Sequence, residues 1–231
     1  MALFAISDLH LCLGEPDKSM EVFKGWSDYI YRIEKNWNAV VSENDTVVIG
    51  GDVSWAMKIK DTVPDFEFVN SRLNGNKIIL KGNHDLWWDT ASKMTSFFEE
   101  QGFDKLSLLH NNYHKYNDIA LCGTRGWFFE EGAGDKKLLN REAGRLELSI
   151  TSALRDGCSE IVVFLHYPPV YSDQICNKIV DVLDKYSIKK VYYGHIHGSG
   201  AHKAVRGEKN GRNYVLMSCD SNDFTPLLIT K

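Results

Sequence analysis

Gly82-Asn83-His84-Asp85 sets an amide, an imidazole and a carboxylate side by side, directly after the apolar run Lys77-Ile78-Ile79-Leu80-Lys81. Such side chains add little to packing at the end of a core strand, and Gly82 lets the chain turn without a β-carbon. The same pattern recurs four times. Phe4-Ala5-Ile6-Ser7 leads into Asp8-Leu9-His10, and Thr46-Val47-Val48-Ile49 into Gly50-Gly51-Asp52. Ile161-Val162-Val163-Phe164-Leu165 leads into His166-Tyr167-Pro168-Pro169, and Val191-Tyr192-Tyr193 into Gly194-His195-Ile196-His197. Asp, Asn and His together suit divalent ions such as Mn, Fe, Co, Ni or Zn, and the lack of Cys among them argues against a closed structural zinc site. Asp8 and His10 are two residues apart, as are His195 and His197, so on an extended chain each pair points one way. Asp8, His10, Asp52, Asn83, His166, His195 and His197 are too many ligands for one tetrahedral ion; two ions sharing a bridging carboxylate use them all.

Five polar ends of this kind need five strands whose carboxyl ends meet, the usual ligand crevice of an open α/β sheet. Strand-like and helix-like stretches alternate, which predicts an α/β domain with a largely parallel core. Met20 to Ile33 has apolar residues at helical spacing, and Pro64 fits the first turn of a helix running toward Leu73. Asp89 or Thr90 can cap a helix through Glu100 that Gly102 ends. Leu106 to Leu109, Tyr113 to Tyr116 and Ile119 to Gly123 read as antiparallel strands in a second sheet or at its edge, joined by Asn-containing turns. Lys137 to Arg155 and Ser172 to Lys185 read as helices. Asn210-Gly211 predicts a hairpin with Tyr214 to Met217 as its second arm, and Leu227 to Ile229 is a candidate last strand.

The 231 residues suffice for a single domain, residues 1–231. A net charge of −4 argues against non-specific nucleic-acid binding as the main role. Cys12, Cys122, Cys158, Cys176 and Cys219 are odd in number and scattered, so free thiols in a reducing compartment are expected. With no leader signature and no long apolar span, a cytoplasmic protein without a membrane partner is expected. Nothing in the sequence specifies an oligomeric state.

Taken in order, D-x-H, GD, GNHD, a later His and GHIH resemble the motifs of the calcineurin-like metallophosphoesterase superfamily, from Asp8 to His197. The resemblance implies a two-sheet mixed β-sandwich flanked by helices, a four-layer α/β/β/α arrangement, with a two-metal site at the strand ends. It implies that Asp8, His10 and His197 hold one divalent ion, that Asn83, His166 and His195 hold the other, and that Asp52 bridges them. His84 resembles the family's catalytic histidine, with Asp85 orienting it. Two such ions can clamp an in-line phosphoryl displacement and lower the pKa of a shared water toward neutral, which supplies hydroxide. The expected activity is hydrolysis of a small phosphodiester or phosphomonoester, the diester slightly preferred. A nuclease acting on short or single-stranded nucleic acid and a non-catalytic scaffold retaining the fold are the alternatives. GDVSWAM and GNHD depart from the GDxVDRG and GNHE motifs of the superfamily's protein phosphatases, and about thirty residues after His197 leave little room for a nuclease capping domain. No P-loop, G-x-S-x-G elbow or Cys-x5-Arg loop is present.

Outside the motifs, Trp55, Trp87, Trp88 and Trp127 read first as wall and core packing, with Trp55 and Trp87 as candidates to stack on substrate. Arg125 can grip a phosphate through its planar fork or pair with a carboxylate. His110, His114 and His202 are expected at the surface. Lys203, Arg206, Lys209 and Arg212 make the last hairpin basic. Substrate choice is expected in the loops Ser54 to Asp61 and Gly123 to Lys136.

Overall fold

The computed structural model describes residues 1–128 and 133–231. In chain order its strands are β1 (Leu3–Ile6), β2 (Thr46–Ile49), β3 (Asn76–Ile79), β4 (Leu106–Leu108), β5 (Tyr113–Tyr116), β6 (Ile119–Thr124), β7 (Glu160–Leu165), β8 (Val170–Tyr171), β9 (Gln174–Ile175), β10 (Lys190–Tyr193), β11 (Gly207–Lys209), β12 (Arg212–Leu216) and β13 (Leu227–Thr230). The α-helices are α1 (Tyr29–Val40), α2 (Val63–Glu67), α3 (Ala91–Gln101), α4 (Ala133–Arg155) and α5 (Asn177–Lys185). One sheet runs β13-β1-β2-β3-β4 and the other β11-β12-β10-β7-β6-β5.

Side-chain alternation along the strands explains the layering. Leu3, Ala5, Val48 and Ile78 face Val162, Phe164 and Tyr192 between the two sheets. Their neighbours Phe4, Ile6, Val47 and Ile49 point the other way, onto Ile33, Trp37, Phe66 and Phe98. On the second sheet Val163, Leu165, Val191 and Tyr193 meet Leu146, Ile150, Ile179 and Leu183 of α4 and α5. Both faces of each central strand are therefore covered, and an uninterrupted apolar run is what such a strand requires. The result is the expected sandwich of two mixed sheets between helical layers. Among the described residues no helix is long and apolar enough to cross a membrane.

Several local expectations are corrected. β4 pairs with β3 in parallel and closes the edge of the first sheet, whereas β5 and β6 pair antiparallel in the second. Asn-rich turns mark where the chain reverses, but strand partners are chosen by long-range packing. The helix expected from Met20 begins at Tyr29, because Gly25 and Asp28 adopt left-handed backbone angles that a helix cannot include. Similarly, α5 begins at Asn177; Ser172, at φ 56°, turns the small β8–β9 hairpin that precedes it. α4 starts at Ala133 rather than Lys137. Thr90 and Gly102 do bound α3, by a side-chain cap and a left-handed C-terminus. Asn210 and Gly211 turn the β11–β12 hairpin, both with positive φ, and all five cysteines are buried free thiols.

Candidate metal centre

β1, β2, β3, β7 and β10 deliver their carboxyl-terminal loops to one end of the sandwich. Asp8, His10, Asp52 and His195 all have positive φ, between 48° and 70°. The expectation that Asp8/His10 and His195/His197 converge through extended pleating is thus corrected: tight left-handed loop turns aim these side chains. Asp and His tolerate this region better than most residues, and such strain clusters at functional sites. Glycines make the close approach possible. A β-carbon on Gly82 would collide with the amide nitrogen and Oδ1 of Asp52. Gly82→Ala should therefore destabilise the fold by about 1–3 kcal/mol and displace Asp52; thermal unfolding together with a metal-binding titration would read both effects.

Among the described residues, two groups of side chains could hold a metal ion: Asp8, His10 and His197, and Asp52, His166 and His195. Within each group the ligand atoms lie within 4.8 Å of one another. The Asn83 amide oxygen is 2.7 Å from His166 Nε2, which in turn is 3.4 Å from Asp52 Oδ2. Asp52 also lies toward the first group, 3.8 Å from His10 Nε2. Asp8, His10, Asp52 and His166 are buried, whereas Asn83, His195 and His197 are partly exposed.

Hydrogen bonds behind the cluster fix the imidazoles. His166 Nδ1 donates to the Gly50 carbonyl at 3.0 Å, and His197 Nδ1 donates to Asp220 at 2.9 Å. The Nε2 atom of each ring is thereby turned inward. His197 Nε2 and His10 Nε2 face each other at 3.4 Å, and His166 Nε2 faces a carboxylate and an amide oxygen. Ring nitrogens converging with carboxylate and amide oxygens in a buried space are the donor set that a divalent cation takes.

The electrostatics agree. Burial pushes His166 down to about 3 and His195 to about 4, so both rings are neutral ligands at ordinary pH. Burial likewise holds His10 well below its usual range. Burial alone would raise Asp8, but His197, His166 and His10 around it hold it low. Burial and the nearby Asp85 and Asp8 push Asp52 well up. Burial would lower His197, yet Asp8 and Asp220 lift it to about 10, so without a metal this ring keeps a proton.

Asp220 was not foreseen. It follows β12 as the earlier ligands follow their strands, and Leu216-Met217-Ser218-Cys219-Asp220 carries the same apolar-then-polar signal. Its other oxygen accepts from the Gly198 amide at 2.9 Å. With His197 at about 10, above its ordinary 6.5, a metal must displace a proton at pH 7, and affinity should rise with pH up to that value. Asp220→Ala is expected to weaken metal binding about 10–100-fold and to lessen the proton release seen by calorimetry in buffers of different ionisation enthalpy.

The other expected site residues divide. His84 is half-buried, its ring 4.3 Å from Trp55 and 5.6 Å from His10, while its amide donates to Asp52 Oδ1 at 2.7 Å. Burial keeps its pKa below 6.5. The expectation that Asp85 orients the His84 ring is corrected. Asp85 is fully buried and accepts from the backbone amides of Gly82, Asp52, Val53 and, more weakly, Ser54. It locks the GNHD loop to the Asp52 loop. Trp87 is also corrected: it is sealed in the core, edge-on to Phe66, and its indole N–H donates to the Ser54 carbonyl. Trp55 stacks on His10 at 4.9 Å and borders the centre. Arg125 lies 3.8 Å from the buried Glu142 and over the Trp127 ring. His202 is exposed; His110 and His114 are half-buried. Within the loop from Gly123 to Lys136, residues 129–132 lie outside the described residues.

Beside His195 and His197 lies a cavity of about 350 Å³, walled by Phe128, Tyr167, Tyr171 and Ile196. Tyr167 packs on His195 at 4.3 Å.

A family model described as calcineurin-like phosphoesterase matches residues 1–199. Among solved structures, a protein of unknown function from Aquifex aeolicus is similar at 16% identity and a TM-score of 0.52, over 98% of this chain and 95% of that one. At that identity the likeness is one of fold. No curated protein sequence matches the chain.

Proposed function

Because the chain belongs to the calcineurin-like phosphoesterase family, and so is in general terms a metal-dependent phosphoesterase, we propose that it hydrolyses a small phosphodiester or phosphomonoester, the diester preferred, at a dinuclear centre. The observation that carries this reading is the mutual facing of His10 Nε2 and His197 Nε2, with His166 Nε2 facing Asn83 and Asp52 beside them. In it Asp8, His10 and His197 hold one divalent ion, Asn83, His166 and His195 hold the other, and Asp52 reaches both. Such ions, drawn from Mn, Fe, Zn, Co or Ni, supply Lewis acidity and lower the pKa of water toward neutral.

The chain's own groups do the rest. Gly50 and Asp220 hold the His166 and His197 rings in the tautomers that present Nε2. Asp85 clamps Asp52 and the GNHD loop in register. Trp55 confines the His84 ring, which burial keeps neutral, so His84 acts at the leaving oxygen by donating its ring N–H. The aromatic cavity beside His195 receives the organic part of the ester, where planar groups stack on Tyr167 and Phe128.

Hydrolysis of paired chromogenic mono- and diesters by metal-stripped protein, with each of the five metals restored in turn, tests this. Metal-dependent turnover with two ions bound per chain is expected. Two bound ions with no turnover of either ester would count against it. Cleavage that improves with strand length would transfer the activity to a nuclease.

A further inference from the structure

A second cavity, of about 570 Å³, is bordered by Lys81, Trp88, His110, Arg125, Arg141 and Arg145. A narrower recess beneath it reaches Glu142. Four cations thus gather at one place on a protein of net charge −4.

Among the described residues the local carboxylates are already engaged. Glu142 is fully buried and bonds Thr124 Oγ1 at 2.6 Å and Arg145 at 2.8 Å, with Arg141 at 3.6 Å and Arg125 at 3.8 Å. Asp89, on the rim, is paired with Lys93 at 2.9 Å. Glu142 therefore serves three guanidinium groups at once. Among the described residues Lys81 has no ion pair and the buried Nε of Arg125 has no hydrogen-bond partner. Positive charge held partly out of water without matching negative charge is costly, and an anion bound among the guanidinium forks relieves that cost.

The position connects the cavity to the metal centre. Lys81 lies two residues before Asn83, a reach of at most about 7 Å between backbones. The Arg125 carbonyl accepts from the amides of His166 and Tyr167 at 3.1 and 2.9 Å. The GNHD loop thus carries both the cation Lys81 and the proposed ligand Asn83, and Arg125, at the end of β6, is hydrogen-bonded to the loop after β7 that carries His166.

We propose that this cavity is an anion subsite for a second phosphoryl group, so that the substrate is a small molecule bearing two separate phosphates. One phosphate is the ester at the metal-ligand cluster; the other is held by Lys81, Arg125, Arg141 and Arg145. This rests on the phosphoesterase reading above and narrows it. The four cations border one open cavity rather than an extended row, which fits a compact bisphosphate better than the track a nucleic-acid strand needs.

The test uses a Lys81→Gln/Arg141→Gln variant, since Arg145 supports the buried Glu142 and its removal would threaten the fold. In the metal-loaded protein, hydrolysis of bis(4-nitrophenyl) phosphate reports competitive inhibition by a hexose 1,6-bisphosphate and by the hexose 6-phosphate. Each charge-assisted hydrogen bond contributes about tenfold or more in affinity, so the bisphosphate should inhibit at least about tenfold more tightly in the wild type, and the variant should bring the ratio close to one. Equal inhibition in the wild type, or an unchanged ratio in the variant, overturns the subsite. Calorimetry of metal-stripped protein with inorganic phosphate is independent of turnover: about tenfold weaker binding in the variant is expected. Unaltered phosphate binding there would remove the subsite even if the esterase reading stood. An affinity for oligothymidylate that exceeds the bisphosphate's and grows with length would overturn the small-molecule assignment.

Discussion

Asp52→Asn should abolish metal-dependent hydrolysis while making the metal-free protein more stable. The substitution keeps the shape of the side chain and an oxygen to accept from the His84 amide. It removes the carboxylate whose Oδ2 lies 3.8 Å from His10 Nε2 and 3.4 Å from His166 Nε2. Metal stabilisation of transition-state charge is worth several kcal/mol, so a loss of about 10³-fold or more in kcat is expected. Retention of activity within about tenfold would sink the bridging role.

The stability effect has the opposite sign. Burial, Asp85 and Asp8 raise the folded pKa of Asp52 well above its ordinary 3.8. An acid raised on folding destabilises the native state at any pH above its unfolded pKa. That penalty is absent below about pH 4, grows as pH climbs toward the folded pKa, and is complete above it. Metal-free Asp52→Asn should accordingly melt higher than wild type at pH 7, and the gap should close near pH 4. Metal reverses the order. At about 100 times Kd a ligand adds about 2.7 kcal/mol, or a Tm increase of about 5–11 °C for a chain of this size. The wild type should show this gain and the variant should show much less.

His84→Ala should lower diester hydrolysis by about 10²–10³-fold while two metals still bind. The ring is partly exposed beside Trp55 and belongs to neither candidate metal group. Burial keeps it neutral at pH 7, so its contribution is a donated hydrogen bond rather than an imidazolium charge. Two consequences separate this role from general damage to the site. The loss should be larger for an alkyl leaving group than for a nitrophenolate, which departs without assistance. His84→Gln, which keeps an N–H donor, should recover part of the alkyl-ester rate. Equal losses for the two leaving groups would remove His84 from the leaving oxygen.

Much of this was present in the linear order of residues. Five apolar runs ending in Asp, Asn or His mark five strand ends, because strands covered on both faces are apolar throughout and the first polar residue marks the emergence of the chain. The order of the motifs placed the chain in its family and predicted two sheets between helical layers. Thr90 and Gly102 predicted the bounds of α3, since capping is a local property of the backbone. Tertiary structure alone decided which groups meet. Asp85 is adjacent to His84 in sequence, yet its oxygens bond the Asp52 loop, because two neighbouring loops needed one acceptor for their unpaired amides. Asp220 lies 23 residues beyond His197 and reaches it only because β12 pairs in parallel with β10. Arg141 and Arg145 lie one helical turn apart on α4, but no spacing joins them to Lys81 and Arg125, which come from two loops. Burial periodicity and capping act over a few residues and are written along the chain, whereas strand pairing and the convergence of charges depend on contacts between distant segments, which exist only once the two sheets have packed.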